Sequence, residues 1–147
     1  MKKLDSFHWI VLLILGVYLS SCSTNPQPID YGSDACHFCQ MTIVDKIHGA
    51  ELVSDKGKIF KFDAAECLIR HKNKVESIEG YQLLTNYFES PMELFPMKDG
   101  TFLISENLPS PMGAFLTVFK TKEAAIRLQK EKGGKLYSWV ELDKHLK

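Results

Sequence analysis

Residues 57–74 read GKIFKFDAAECLIRHKNK, and residues 113–132 read GAFLTVFKTKEAAIRLQKEK. Each stretch begins with the apolar alternation of a strand and continues into a charged segment with the apolar spacing of a helix. Asp63 and Thr121 stand where helix N-caps belong, and Glu66 follows Asp63 at the spacing of a capping box. The same order of strand, cap and helix at two places predicts an internal repeat.

Apolar patterns predict strands on both sides of each helix. The further predicted strands are 41–46, 50–54, 81–88, 92–97, 101–105 and 135–139. Asp99 and Gly100 predict a hairpin turn between the strands that flank them. We therefore expect an α+β fold of two ββαβ repeats, at about 36–88 and 92–147, with mixed or antiparallel sheets. Neither half is large enough to bury a core alone, so we expect both to pack as one compact unit over residues 34–147.

The composition is that of one globular domain without a strongly charged partner. Of the 147 residues, 45% are hydrophobic and 24% are charged, and 18 basic residues balance 18 acidic ones. A formal net charge of zero argues against a nucleic-acid binder and against a polybasic membrane surface. The cysteines are too unevenly spaced to indicate a disulfide scaffold. They are Cys22, Cys36, Cys39 and Cys67.

The N-terminal residues have the pattern of a secretion signal. Lys2 and Lys3 precede an apolar run over residues 9–19, which is short for a transmembrane helix and is followed by small residues before Cys22. The sequence Leu-Ser-Ser-Cys resembles a bacterial lipobox. That resemblance implies removal of the signal peptide, residues 1–21, and attachment of lipid to the Cys22 sulfur.

A lipid on Cys22 would anchor the protein to the bacterial cell envelope, where it would face the periplasm. Residues 22–33 contain prolines and small polar residues, and they are predicted to form a flexible tether between lipid and domain. Ser23 follows the lipidated cysteine, and no Asp stands there to favour retention in the inner membrane. The sequence is therefore compatible with a location in the outer membrane.

Residues 34–43, DACHFCQMTI, gather sulfur ligands within a short span. Cys36, Cys39 and Met41 supply thiols and a thioether, which select Cu(I) over harder ions. On an extended chain, the side chains of Cys39 and Met41 point to the same side. The CxxC pair alone is equally compatible with a redox dithiol or a structural role. Thioether favours copper, because it is a poor zinc ligand and takes no part in dithiol exchange.

The chain resembles the NosL-type copper lipoproteins, which are accessory proteins for the maturation of nitrous oxide reductase. The resemblance rests on the lipobox and on three segments: CHFCQM at 36–41, KFDAAECLIRH at 61–71 and SPMGAFLTVF at 110–119. Many family members have glycine where this chain has Gln40. Glutamine has less backbone freedom than glycine, so the turn at this position differs in its conformational cost.

The resemblance implies a fold of two ββαβ repeats, binding of Cu(I), and delivery of copper to the multi-copper sulfide centre of nitrous oxide reductase. It implicates Cys39 and Met41 most strongly as ligands, with Cys36 as a further thiol and Met112 from the PMG segment. His37 is the best imidazole candidate by its proximity to the cysteines. The implied partners are the reductase and the transporter complex of its maturation, and a carrier of this kind is not an enzyme.

Other candidate ligands have weaker claims. His48, His71 and His145 lie outside the motif. We interpret Asp63 as a helix cap, because a hard carboxylate suits Cu(I) poorly. We interpret Cys67 as a small buried apolar residue, which is the usual place of a lone cysteine.

Two other functions are compatible with these residues. The first is an extracytoplasmic thiol-disulfide oxidoreductase that uses Cys36 and Cys39. A redox CxxC normally opens a helix, whose N-terminus lowers the thiol pKa, whereas this motif precedes a predicted strand. The second is a structural zinc site, which needs about four good ligands in a closed geometry. The chain has no second CxxC and no HxxxH pair to supply them.

Overall fold

The computed structural model of this protein describes residues 24–146. The predicted signal peptide and the predicted lipidation site, Cys22, lie outside the described residues. Within residues 24–146, no helix is long and apolar enough to cross a membrane. The elements of the described region are β1 (Ala50–Val53), β2 (Ile59–Phe62), α1 (Ala65–Lys72), β3 (Gln82–Tyr87), β4 (Ser90–Pro96), a 3-10 turn (Met97–Asp99), β5 (Thr101–Ile104), β6 (Leu116–Phe119), α2 (Lys122–Lys132), β7 (Lys135–Tyr137) and α3 (Trp139–His145).

The described strands form two antiparallel sheets with the same internal order. The first sheet has the order β2-β1-β3-β4, and the second has the order β6-β5-β7. In each repeat the first strand is central and pairs with the second and third. In the second sheet, for example, Phe102 faces Val118 on one side and Tyr137 on the other. The expected α+β fold of two ββαβ repeats is confirmed.

The boundary between the halves differs from the prediction. β4 pairs with β3 and extends the first sheet, and the 3-10 turn carries the chain to β5 in the other sheet. The hairpin predicted between 92–97 and 101–105 is therefore wrong. Gly100 serves close packing instead, because a Cβ atom there would lie 2.6 Å from Cγ1 of Val118.

Residues 41–46 do not form the predicted strand. Thr42 makes only an isolated bridge. The Asp45 side chain accepts hydrogen bonds from the N–H groups of Ile47 and His48 at 2.7 and 3.1 Å. Such an Asx turn satisfies the backbone locally and competes with strand pairing.

The two helices of the repeats begin differently. Thr121 caps α2 as predicted, since its Oγ1 accepts a backbone N–H hydrogen bond from the first turn at 3.2 Å. The N-cap of α1 is Ala64, which makes no side-chain capping bond, so the interpretation of Asp63 as the cap is wrong. Glu66 reaches the second half of the chain, where its Oε1 accepts a hydrogen bond from Ser110 Oγ at 2.5 Å. The Asp63 side chain therefore has a role other than capping α1.

One hydrophobic core joins the two repeats. Leu52, Phe62 and Leu68 of the first repeat pack in the same cluster as Phe102 and Leu116 of the second, and all five are fully buried. Each such side chain contributes about 1.5–3 kcal/mol of burial free energy. The loops of the second repeat are therefore held against the first repeat.

Residues 24–33 lie against the first sheet. Ile29 is 6% exposed and belongs to the core cluster. Lys61 Nζ donates a hydrogen bond to the Pro28 carbonyl at 2.8 Å. The prediction of a flexible tether is therefore wrong for this part of the segment, because one apolar side chain among the prolines and polar residues docks the chain.

Candidate metal centre

A tight turn brings Cys36 and Cys39 together. The Cys36 N–H donates to the Met41 carbonyl at 2.8 Å, and the Gln40 N–H donates to the Cys36 carbonyl at 2.9 Å. Gln40 has a φ of 65°, in the left-handed region that favours glycine. Its Nε2 donates to the His37 carbonyl at 2.8 Å, which offsets part of the backbone cost. The turn therefore needs the backbone geometry that glycine supplies most easily.

A third thiol and a carboxylate lie beside this turn. The Sγ atoms of Cys36, Cys39 and Cys67 and a carboxylate oxygen of Asp63 all lie within 4.8 Å of one another. We call these four residues the thiol group. Cys36 and Cys67 are fully buried, Asp63 is 3% exposed, and Cys39 is half-buried. The three thiols are free rather than disulfide-bonded, so each sulfur is available as a ligand.

Sequence reasoning missed Cys67 and Asp63 as site residues. Cys67 is buried, as predicted, but its sulfur faces other thiols rather than serving only as an apolar filler. The four-residue spacing from Asp63 to Cys67 could have suggested that they share one side of the helix start. Their contact with the CxxC turn depends on the tertiary structure. The His37 N–H donates a hydrogen bond to the Lys61 carbonyl at 2.8 Å, which ties the CxxC turn to β2.

The thiol group contains one preferred thiolate. A hydrogen bond from the Cys67 thiol, joined by backbone N–H groups of Cys39 and Asp63, lowers the pKa of Cys36 to about 6 against the opposing effect of burial. The bond to Cys36, together with burial, raises the pKa of Cys67. Burial raises the pKa of Cys39, and the neighbouring Cys36 raises it further. At neutral pH, Cys36 is therefore the thiolate, and the other two thiols keep their protons.

The Asp63 carboxyl group is a further acidic group in this buried pocket. Neither of its oxygens accepts a well-oriented N–H or O–H hydrogen bond from residues 24–146. A buried carboxylate beside a thiolate is costly unless a positive charge compensates for both. The arrangement therefore suits a bound cation, and the three sulfurs favour a soft one.

Met41 lies at the surface next to the thiol group. Its side chain is 48% exposed. It lines a surface cavity of about 310 Å³ together with Val44, Asp63 and Pro111. The cavity therefore gives the thiol group a route to solvent on the Asp63 side.

The loop that carries Met112 meets the first repeat at the same cavity. Pro111 lines the cavity, and the bond between Ser110 and Glu66 anchors the loop to α1. Met112 itself is half-buried and packs against the core cluster. The structure thus brings the PMG segment to the site, whereas coordination by the Met112 thioether stays a prediction.

His37 does not belong to the thiol group. Its ring packs against Phe60 at a centroid distance of 4.7 Å and against His71 at 5.0 Å. Burial lowers the pKa of His71, and His37 and Lys74 lower it further. The remaining described histidines make structural contacts: His48 with Thr117, and His145 with Tyr137.

The CxxC turn lacks the helix N-terminus that is typical of redox dithiols. It lies between irregular segments, and the pKa of Cys36 is lowered mainly by the Cys67 thiol. A third thiol in hydrogen-bond contact would give a redox pair a competing partner. This geometry supports a ligand set better than a dithiol exchange motif.

A family model and a solved structure agree on what this chain is similar to. The NosL family model matches residues 28–146. The fold is similar to the crystal structure of the copper chaperone NosL from Shewanella denitrificans, with a TM-score of 0.70 and 21% sequence identity. The alignment covers 81% of this chain and 96% of that chain. No curated protein matches. Since the family model covers most of the chain, the protein belongs to the NosL family.

Proposed function

We propose that this protein is an extracytoplasmic metallochaperone that binds Cu(I) and delivers it for assembly of the copper-sulfide centre of nitrous oxide reductase. The observation that carries the proposal is the thiol group, in which three sulfurs and one carboxylate oxygen lie within 4.8 Å of one another. Membership of the NosL family supports it, and so does the fold shared with a copper chaperone.

The donor set explains the choice of metal. Thiolate and thioether sulfurs select Cu(I), and a low coordination number lets two or three of them hold it. One Cu(I) ion would also compensate for one of the two negative charges carried by Cys36 and Asp63. Loading would release protons from the thiols that bind, so Cu(I) affinity should rise with pH.

The exposure of the ligands explains how copper could leave. Cys36 and Cys67 are sealed from solvent, whereas Cys39 is half-buried and Met41 is exposed. A thiol or thioether of the receiving protein would approach on the Cys39 and Met41 side and enter the coordination sphere. Copper would then pass through a shared intermediate to the stronger site without release of free ion. The protein turns over no substrate, so it is a carrier rather than an enzyme.

The cellular setting follows from the N-terminal sequence and the family. Lipid on Cys22 would hold the protein on the periplasmic side of the cell envelope. The reductase and the transporter complex of its maturation are the proposed partners. Both belong to the function that the family resemblance implies.

The direct test is a Cu(I) titration under anaerobic, reducing conditions in competition with a Cu(I) chelator. We expect one tightly bound Cu(I), with a large loss of affinity in Cys39→Ser and a smaller loss in Met41→Leu. Met92→Leu is the matched control, because Met92 is 51% exposed but does not line the cavity beside the thiol group. Equal effects of the two methionine substitutions would refute a role for Met41.

A zinc site is the second candidate, and the ligand count favours it. Three cysteines and one aspartate supply four ligands, the number and type that closed zinc sites use. Parallel titrations distinguish the candidates. Zn²⁺ binding as tight as Cu(I) binding, insensitive to Met41→Leu and lost in Asp63→Asn, would assign the thiol group to zinc.

A further inference from the structure

A surface cavity lies at the start of β3, and both repeats contribute to its wall. Its volume is about 390 Å³. Gln82 and Lys98 line it as exposed polar residues. The rest of its lining is apolar or aromatic, and we call it the aromatic cavity. These residues are Ile78, Tyr81, Leu83, Leu84, Pro96 and Trp139.

The N-terminal segment of the domain leads directly to the aromatic cavity. Gln82 Nε2 donates a hydrogen bond to the Thr24 carbonyl at 2.8 Å. Further along the segment, the Gln27 N–H donates to Glu51 Oε1 of β1 at 3.0 Å, and Ile29 is buried in the core. The segment is therefore fixed to the first sheet, with Thr24 held beside the cavity.

The length of the chain limits how far the predicted lipid can lie from this cavity. Cys22 precedes Thr24 by two residues. An extended chain spans at most about 3.6 Å per residue, so the two Cα atoms lie within about 7 Å of each other. A lipid on the Cys22 sulfur would therefore enter the bilayer next to the aromatic cavity, without a long tether between membrane and domain.

We propose that the aromatic cavity and the surface around it lie against the membrane that holds the lipid of Cys22. Tryptophan and tyrosine favour the membrane–water interface, because each combines an apolar ring with a polar N–H or O–H group. Trp139 and Tyr81 supply such rings. Lys98 can extend its ammonium group to lipid phosphates while its stem lies along apolar surface. Val140 is 61% exposed and adds apolar area beside Trp139.

The charges near the aromatic cavity are of both signs. A neighbouring cavity shares Tyr81 and is lined by Lys56 and Lys58 together with Asp55 and Glu79. Opposite charges in equal number do not make a polybasic surface. Membrane contact should therefore come from the aromatic and apolar side chains and the lipid anchor, and it should depend little on anionic lipid.

The register of the first sheet places the thiol group away from this surface. Val53 pairs with Ile59 on one side and with Gln82 on the other, so these residues form one row across the sheet. Asp63 follows Ile59 by four residues, which is about 13 Å along an extended chain at 3.3 Å per residue. A domain that contacts the membrane near Gln82 therefore keeps the exposed side of the thiol group accessible to a partner.

The proposal rests on the lipid anchor and not on Cu(I) binding. The competing explanation is that the aromatic cavity is only a depression between packed elements, since Trp139 also contacts Phe102 at a centroid distance of 6.0 Å. Packing alone predicts the same surroundings of Trp139 with and without a membrane. A membrane surface predicts that lipid acyl chains come close to this ring.

The test uses Trp139 as a fluorescent probe in the lipidated full chain. The sequence has two tryptophans, Trp9 and Trp139, and Trp9→Phe leaves Trp139 as the single probe. The protein is reconstituted into phosphatidylcholine vesicles with ordinary or brominated acyl chains. We expect Trp139 emission to be quenched about twofold by the brominated lipid, and to be quenched equally after addition of phosphatidylglycerol. Equal emission in ordinary and brominated vesicles would overturn the proposal.

Two matched comparisons locate the membrane surface. Val44→Trp combined with Trp139→Phe moves the probe to the cavity beside the thiol group, where Val44 is 68% exposed, and this probe should not be quenched. Ile78→Glu places a charge in the aromatic cavity and should remove most of the quenching of Trp139. Phe88→Glu should not, because Phe88 is an exposed apolar residue that follows the other end of β3. Equal quenching at both probe positions, or in both glutamate variants, would overturn the proposal.

Flotation of the same vesicles separates the failure of the anchor from the failure of the surface. Protein that does not float with the vesicles refutes the lipid on Cys22 and the membrane surface together. Protein that floats without quenching of Trp139 refutes the membrane surface alone. The Cu(I) titration uses no vesicles, so its outcome is independent of both.

Discussion

Replacing Asp63 with asparagine should make the metal-free protein more stable and weaken its binding of Cu(I). The Asp63 carboxylate lies within 4.8 Å of the Cys36 sulfur, and both residues are buried. At that distance and an effective dielectric constant of about 20, two unit charges interact with about 3 kcal/mol. Relaxation reduces this figure, so we expect the free energy of unfolding to rise by about 1–2 kcal/mol.

The same charge acts with the opposite sign when copper is bound. A carboxylate a few ångströms from Cu(I) attracts it, and asparagine does not carry that charge. Loss of about 1–3 kcal/mol of attraction corresponds to an affinity about 5- to 150-fold lower. Opposite changes in stability and affinity therefore identify a carboxylate that serves the metal rather than the fold.

The two quantities are measured on the same preparations. Chemical unfolding of metal-free protein reports stability, and anaerobic competition with a Cu(I) chelator reports affinity. Asp45→Asn is the control, because Asp45 lines the same cavity but lies outside the thiol group and bonds to His48. A decrease in both quantities, or a change equal to that of the control, would refute the assignment of Asp63.

Three further predictions test other parts of the molecule. Metal-free protein should gain a few kcal/mol of stability as the pH rises from about 6 to 9, because folding lowers the pKa of Cys36 to about 6. Urea unfolding measures this gain, and the Cys36→Ser variant should not show it. Met112→Leu should weaken Cu(I) binding with little change in Tm, whereas unchanged affinity and an unchanged sulfur count in X-ray absorption would assign Met112 to packing. Cys22→Ala should abolish lipid labelling and signal processing, and continued acylation would contradict the lipobox assignment.

The repeat could be predicted from sequence because local patterns determine it. Apolar alternation followed by a helical segment occurs twice, and each pattern needs only neighbouring residues to be recognised. Thr121 was predicted correctly as a cap for the same reason, since its partner lies within the first helical turn. The central place of the first strand of each repeat, which both sheets share, then follows from the repeat.

Features that depend on distant partners were not predictable in this way. β4 pairs with β3 and so extends the first sheet, although the Asp-Gly pair after β4 favours a hairpin with β5. Ile29 docks residues 24–33 onto a core that the local composition does not reveal. The spacing of Asp63 and Glu66 fits a capping box, yet Asp63 lies beside the three thiols and Glu66 accepts a hydrogen bond from Ser110.

The site combines several local costs, and one cation can relieve those that come from charge. Cys36 and Asp63 bring two acidic groups into a buried pocket, and Gln40 holds a left-handed backbone conformation in the turn beside them. Thiol and backbone donors stabilise the Cys36 thiolate, whereas neither oxygen of the Asp63 carboxylate accepts an N–H or O–H hydrogen bond within residues 24–146. A ligand that binds only the folded protein stabilises it by about 4 kcal/mol at a thousandfold excess over Kd. Copper should therefore raise Tm most in the wild type and least in Asp63→Asn, because the substitution removes in advance the repulsion that copper relieves.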